Sequence, residues 1–267
     1  MSDLASIIDK SISGSFSHSA SIVGASAFTG CNNLTSVSFL NAKHIGASAF
    51  ASCESLTKAT FNEATSIDTG AFRNCANLTE VGLTNVISIG NEAFMACAKL
   101  TEVDSSFAVS IGNDAFNGCT SLTSVSLSKV MIISIRAFAA CSSLPSVSFP
   151  YAREIGDSAF VNCTSLSSVS FPYAREIGES AFGNCTSLTS VSFPNVEHIG
   201  TEAFSGCSGL TSISVGTDKA IVCSLSNTNA FQDCPNLVDI YVPASLVESY
   251  KAATNWSSYA DKIKAAS

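Results

Sequence analysis

A Phe preceded by Ala recurs at positions 28, 50, 72, 94, 116, 138, 160, 182 and 204, 22 residues apart each time, and once more at 231 after an interval of 27. Three residues after every one of these ten Phe residues stands a Cys, from Cys31 to Cys234, and three beyond that a Leu, from Leu34 to Leu237. A period this strict leaves few architectures open. One unit cannot bury its own Phe, Leu, Val and Ile, but stacked on copies of itself it can, so the chain reads as a solenoid whose core is a set of continuous side-chain ladders. Two neighbouring units are nearly identical, and "PYAREIG" occurs at both Pro150 to Gly156 and Pro172 to Gly178. That looks like a recent duplication of one coil, which reports how the rod grew and says nothing by itself about function.

Within a unit, "LTSVSF" alternates apolar and small polar residues and reads as a short strand. The Ile-Gly step that follows reads as a turn or a brief second extended piece, and "SAFxxC" is too short for an α-helix but suits one turn of 3₁₀ helix. Ten such coils with strands about 4.8 Å apart make a rod or shallow arc on the order of 50 Å long. The expected division is an N-terminal cap over 1–19, the solenoid over 20–242 and a helical cap over 243–267. In the last segment Leu246, Val247, Tyr250 and Ala253 follow helical spacing, and Asn255 is read as the N-cap of a second set carrying Trp256, Tyr259, Ala260 and Ile263 on one face. Trp256, the only Trp, is assigned to core packing rather than to a ligand. At the other end "SDLASIIDKSI" is expected to cover the first coil as a short helix or strand. Ala59 and Ser105 replace core residues of the pattern, so the core is expected to thin there, and the extra residues between Val215 and Ala230 are read as a looped-out bulge.

The columns resemble the BspA-like leucine-rich repeat family, the Treponema pallidum class of these repeats, over roughly residues 20 to 242. "AFxxCxxLxxVxFP…IG" is specific to that class. The resemblance implies a leucine-rich-repeat arc with "LTSVSF" on its concave parallel sheet, and it brings no catalytic residues. It further implies a surface-exposed or secreted microbial protein, in some members an adhesin; short chains with similar ends look like products of gut bacteria and their phages.

Composition narrows the partners. The net charge of -8 and the lack of any Lys and Arg cluster argue against nucleic acid. No apolar run approaches the length of a membrane span, and "MSDLASIIDKSISGSF" has neither the basic nor the long apolar region of a secretory signal. Only 13% of residues are charged, about half the usual share. A polar, weakly charged surface of this kind fits an extracellular binder.

The eleven Cys residues are read as a reduced, buried ladder of small hydrophobes, because side chains in one in-register column neither meet disulfide torsions nor converge on a metal. Cys223, off the column, is the one candidate reactive thiol, with a buried loop position as the stronger reading. His18, His44 and His198 lie in different units with no nucleophile or carboxylate at a fixed spacing. Glu154 and Glu176 stand one coil apart beside Arg153 and Arg175 and are assigned to a solvated ion-pair ladder rather than to acid and base catalysis. With no phosphate loop or hydrolase motif either, no catalytic residue, cofactor or metal is expected.

What remains is surface. The strand positions facing outward are Lys58, Glu80, Glu102 and Asp104 in one half, Ser pairs from Ser124 to Ser214 in the other, and Asp239 and Tyr241 at the end. This broad face is the first candidate for contact with a protein or polymer, its acidic part steering a basic partner. A smaller patch of Tyr151, Arg153, Tyr173 and Arg175 on a neighbouring edge is the second. The expected function is a monomeric, non-catalytic binding or adhesion module. It would recognise a host protein or cell-surface glycan, outside or on the surface of the cell or on a virion, without inserting into the membrane. The alternative is a structural spacer or assembly component of a surface structure or phage particle. Ice or crystal binding by the Ser ladder is weaker still, because Lys58, Glu80, Glu102 and Asp104 interrupt it.

Overall fold

The computed structural model describes residues 11–216 and 221–266. All strand pairing in it is parallel, and each step moves the chain one repeat along, as in Ser36 against Lys58 and Val37 against Ala59. Two strand columns run the length of the solenoid. The longer strands begin at Gly14–Ser17 and Leu34–Ser38 and continue to Asp239–Val242, while two-residue strands run from Ile22–Val23 and His44–Ile45 to Ser224–Leu225. The Ile-Gly step is therefore a second extended piece and not merely a turn. Because Gly14–Ser17 adds a rung before the first Ala-Phe unit, the solenoid has about 11 turns. Most of the N-terminal stretch expected to cover it lies outside the described residues.

The Ala-Phe segment does not form the expected 3₁₀ turn. Its N–H groups alternate: those of Ala27, Thr29 and Cys31 bond three residues back, while those of Ser26, Phe28 and Gly30 donate to Ala47, Ala49 and Ala51 of the next coil. A 3₁₀ turn would direct every N–H back into its own coil and leave none for the neighbour. The alternation instead requires left-handed backbone two residues before and two after the Phe, filled by residues such as Ser26, Asp114 and Arg136 on one side and Ala96, Ala140 and Asn162 on the other. Only Gly takes that conformation without steric cost. The Gly of the Ile-Gly step has a different reason. A Cβ on Gly112 would lie 2.4 Å from the Asn91 nitrogen of the previous coil, so the residue permits close approach.

Side chains carry the same axial order. The ten Phe rings form one stack with centroids 5.0 to 5.6 Å apart and planes within 11°. Burying each ring contributes roughly 2 to 3 kcal/mol. A second aromatic column runs through Phe39 and Phe61 and resumes at Phe149, Phe171 and Phe193. Between them stand Leu83, Ser105 and Leu127, the thinner stretch of core. Ser105 is fully buried there and satisfied, its hydroxyl donating to the Val86 carbonyl at 2.6 Å. The longer strand ladder is interrupted between Glu80–Val81 and Glu102–Asp104, and again between Ser124–Ser126 and Ser146–Ser148 and between Ser168–Ser170 and Ser190–Phe193.

The thiols do more than fill space. Each of nine Cys side chains donates its S–H to the carbonyl of the Phe one coil back, at 3.0 to 3.3 Å, from Cys53 on Phe28 to Cys234 on Phe204. The Phe28 carbonyl also accepts the Cys31 N–H at 3.0 Å, so both its acceptor sites are used. All eleven thiols are free, and Cys234 is the one not fully buried. Burial pushes the Cys119 and Cys163 thiols up to about 12 and that of Cys234 to about 11.

At the C-terminus the helix Val247–Ala252 and a short turn of 3₁₀ helix, Trp256–Tyr259, close the stack, and Ile263–Ala265 returns as one more strand beside Asp239–Val242. Ile263 is thus a strand residue, because its backbone completes an open ladder edge. Trp256 is wholly buried, as expected of a packing residue. Asn255 does not cap with its side chain; left-handed at φ 66°, it donates its amide to the Leu225 carbonyl at 2.7 Å. The extra residues after Val215 are not a simple bulge either. Residues 217–220 lie outside the description, but Ser224–Leu225 pairs with His198–Ile199. Cys223, read as the candidate reactive thiol, is 1% exposed. Its carbonyl accepts the Trp256 indole N–H at 2.6 Å and its N–H donates to the Tyr250 hydroxyl at 2.9 Å.

Replacing Ala96 and Ala140 with Gly removes left-handed strain at both sites and is expected to stabilise the protein by about 0.5 to 1 kcal/mol each, read by urea unfolding. The thiols set the alkaline limit. Their folded values lie above the unfolded one, so the folded state holds protons that the unfolded state loses. Their contribution is complete below about pH 9 and is lost as pH rises toward 12. Stability measured across that range should therefore fall steeply, while a thiol reagent at neutral pH modifies Cys234 alone in the native protein and all eleven thiols after unfolding.

Candidate binding surface

On the outward face of the longer strands, parallel register fixes which side chains adjoin. Lys58 and Glu80 are register partners, and Lys58 Nζ lies 2.7 Å from Glu80 Oε1. That pairing cancels one acidic charge of the face, leaving Glu102 and Asp104 without a cationic partner among the described residues. A shallow hollow of about 440 Å³ opens beside them at the first break in the ladder, lined by Glu80, Thr101, Glu102 and Asp104 among others. Farther on, the Ser residues pair rung by rung, Ser146 with Ser168 and Ser190 with Ser212. Tyr241 lies at the far end, coils away from the acids. Its hydroxyl donates to Asp239 at 2.8 Å, and Lys264 of the returning strand pairs with the same carboxylate. Asp239 is accordingly held below the usual carboxylate range, first by Lys264 and then by Tyr241. This end is a closed polar cluster, with Tyr241 tied into it.

The neighbouring edge is different in kind. Tyr151 and Tyr173 occupy the thirteenth position after their Phe, and that column also holds Phe107 and Lys129 on the two coils before them. Two positions on, the column reads Ile87, Val109, Met131, Arg153 and Arg175. The residue between the two columns points inward, as Ala108, Val130 and Ala152 do. Alternation in extended chain thus places both columns on one side. Tyr151 and Tyr173 are 58% and 57% exposed. With Lys129, Met131 and Arg153 they line a hollow of about 360 Å³, and the Lys129 ammonium lies 4.6 Å from the centroid of the Phe107 ring. The structure brings Tyr151, Arg153 and Tyr173 together as the sequence proposed. Ile87, Phe107, Val109, Lys129 and Met131 were missed, although they stand at the same two offsets from the repeat Phe as the tyrosines and arginines.

The ion-pair ladder expected between Arg153 or Arg175 and Glu154 or Glu176 is not formed. Both residues of each Arg-Glu step are exposed, but they lie on different sides: Arg153 lines the tyrosine hollow while Glu154 and Glu176 line the next groove with His198. Arg175 instead pairs with Glu197 at 3.1 Å. His18 Nδ1 accepts the Ala20 N–H of its own segment at 2.9 Å, whereas the other two histidines have partners supplied by the following coil. His44 bonds Ser66 at 2.7 Å through Nδ1 and Asp68 at 3.1 Å through Nε2. His198 bonds Ser224 at 2.8 Å and Ser226 at 3.0 Å. Serine, histidine and carboxylate in contact resemble a hydrolytic triad, yet His44 and Asp68 are about 40% exposed and the same rung recurs at His198 with a hydroxyl replacing the acid. Such contacts are what stacked coils produce at a polar column. Among the described residues no group of acidic, His or Cys side chains converges as a metal site would require, and no helix is long and apolar enough to cross a membrane.

Comparison with a protein-family model agrees with this architecture. The family model described as a BspA type leucine rich repeat region matches residues 10–122 and 109–237. A leucine rich repeat protein of T. pallidum is 25% identical, with a TM-score of 0.50 over 78% of this chain and 90% of that one. A leucine-rich repeat protein from Bacteroides ovatus is 24% identical, covering 93% of this chain and 88% of its own at a TM-score of 0.40. A leucine rich cell surface protein from Faecalibacterium prausnitzii is 23% identical, covering 91% and 82% at a TM-score of 0.46. No curated protein matches the sequence.

Proposed function

The chain belongs to the BspA-type leucine-rich repeat family, and we propose that it is a non-catalytic recognition module that attaches to another cell or surface through the tyrosine and arginine edge of its solenoid. The observation that carries this reading is the hollow between Tyr151 and Tyr173, walled by Lys129, Met131 and Arg153. Tyr and Arg are the side chains most enriched among residues that dominate binding energy. Here they stand on consecutive coils whose backbone is held by the stack, so association orders side chains but no loop and loses less entropy. The acidic strand face, the first candidate from sequence, is the weaker one because Lys58 already neutralises Glu80. The site of action is the cell surface or its exterior, and the partner class is a host protein or a cell-surface glycan.

Arrays of matrix proteins and of glycans test the reading. Any partner bound by the intact chain should be lost, by at least about tenfold in affinity, on replacing Tyr151 and Tyr173 with Ala. It should be retained when Glu80, Glu102 and Asp104 become Ser. The opposite pattern would move the working surface to the strand face.

A further inference from the structure

The apolar half of the edge is unexplained by a contact made with tyrosine and arginine alone. Ile87, Phe107, Val109 and Met131 are 47 to 50% exposed, and they sit on successive coils immediately before the tyrosines. Elsewhere the same two columns hold ordinary solvated residues: Asn41, Lys43, Glu63 and Thr65 on one side, Asn195 and Glu197 on the other. The apolar and aromatic choices are therefore confined to one continuous strip that is greasy at one end and cationic at the other. Lys129 and Arg153 have no carboxylate partner among the described residues, and Arg175 shares Glu197. This local excess of positive charge stands on a chain whose formal net charge is -8.

We infer that this strip, whose use rests on the edge proposed above, receives an amphipathic α-helix of a partner protein laid along the solenoid axis. Leucine-like side chains of that helix meet Val109 and Met131, and its carboxylates meet Lys129, Arg153 and Arg175. The spacing fits. Neighbouring coils place their Phe rings 5.0 to 5.6 Å apart, and an α-helix advances about 5.4 Å per turn. A helix along the axis thus offers one side chain to each coil, at i, i+4 or i+3. The five coils from Ile87 to Arg175 accommodate about four turns. An extended peptide repeats its same-face side chains only every ~6.7 Å and falls out of step within two or three coils. A neutral sugar is the poorer fit, because its hydroxyls need acceptors as well as donors. Apart from the tyrosine hydroxyls, the hollow's polar walls are Lys129 and Arg153, which only donate.

The test uses the intact chain and a fluorescein-labelled peptide of about four helical turns, with Leu along one stripe and Glu flanking it. Three further probes are the same peptide with Lys for Glu, its composition rearranged to a period of two, and heparin. Anisotropy should show the acidic helix binding and the Lys and period-two peptides failing. Met131→Glu and Arg153→Glu should each weaken the acidic helix by at least about tenfold, and Arg153→Glu should strengthen the Lys peptide. Circular dichroism melts matching the parent establish that these exposed substitutions leave the fold intact. No binding of the acidic helix up to millimolar concentration, or equal binding of all three peptides, overturns the inference. Heparin bound in preference, and lost in the Tyr151→Ala, Tyr173→Ala variant, leaves the edge in place and removes the helix. Binding of any probe that ignores the edge substitutions but disappears with Glu102→Ser and Asp104→Ser removes both.

Discussion

Contact between one coil and the next, concentrated at the Phe carbonyl, is the constraint on which the rest of this structure depends. That oxygen takes the N–H of the Cys in its own coil and the S–H of the Cys in the following one. The Phe ring stacks on its neighbours a few ångströms away, and the Phe N–H reaches across to the next coil. One residue type therefore fixes the turn within a coil and the register between coils. Two left-handed residues flanking each Phe from Phe28 to Phe204 are the conformational cost of freeing alternate N–H groups for the axial direction, repeated in coil after coil. Cooperative stacking offsets it, since no coil can bury its ladders alone.

Because register is fixed, an offset in sequence becomes a line on the surface. Residues 22 apart stand side by side, so a single choice at the thirteenth or fifteenth position is isolated, while the same choice in consecutive coils makes a strip. The tyrosine edge is built this way, and so are the Ser lattice and the His rungs. Most of these columns vary among small polar residues. The columns holding Ile87, Phe107, Val109, Met131 and the tyrosines depart from that habit over one continuous stretch, and this departure is what singles them out from a surface otherwise suited to staying in water.

The solenoid and its core columns were legible from spacing alone, since only stacking buries such ladders, and Trp256 was placed in the cap core by its helical neighbours. Details that depend on contacts between coils were not legible. Nothing in "SAFxxC" distinguishes a 3₁₀ turn from a ribbon whose N–H groups alternate, because the difference lies in where the next coil's carbonyls fall. For the same reason the thiols of the column read as apolar filler and Asn255 as a helix cap, although each is committed to a backbone carbonyl some 25 to 30 residues away; Cys223 is the buried loop residue that was expected, but the Trp256 indole and Tyr250 hydroxyl that hold its backbone could not be read from the sequence. The candidate edge was half visible. Its tyrosines and arginines drew notice through the duplicated "PYAREIG", whereas Phe107 and Met131 carry no motif and emerge only when each column is followed along the axis.

The central claim is that the thiol acts as a donor to the Phe carbonyl and not only as a small apolar side chain. Cys75, whose sulfur lies 3.0 Å from the Phe50 carbonyl, separates the two roles. Serine at this position keeps a donor and adds a polar group, while alanine keeps an apolar side chain and leaves the carbonyl short of one bond. Urea unfolding of Cys75→Ser and Cys75→Ala, each against the parent, compares them directly. The donor account predicts that the serine variant is at least as stable as the alanine variant. If alanine proves the more stable by over about 1 kcal/mol, the usual worth of a buried hydrogen bond, the column is apolar filling and the account of how coils are joined is wrong.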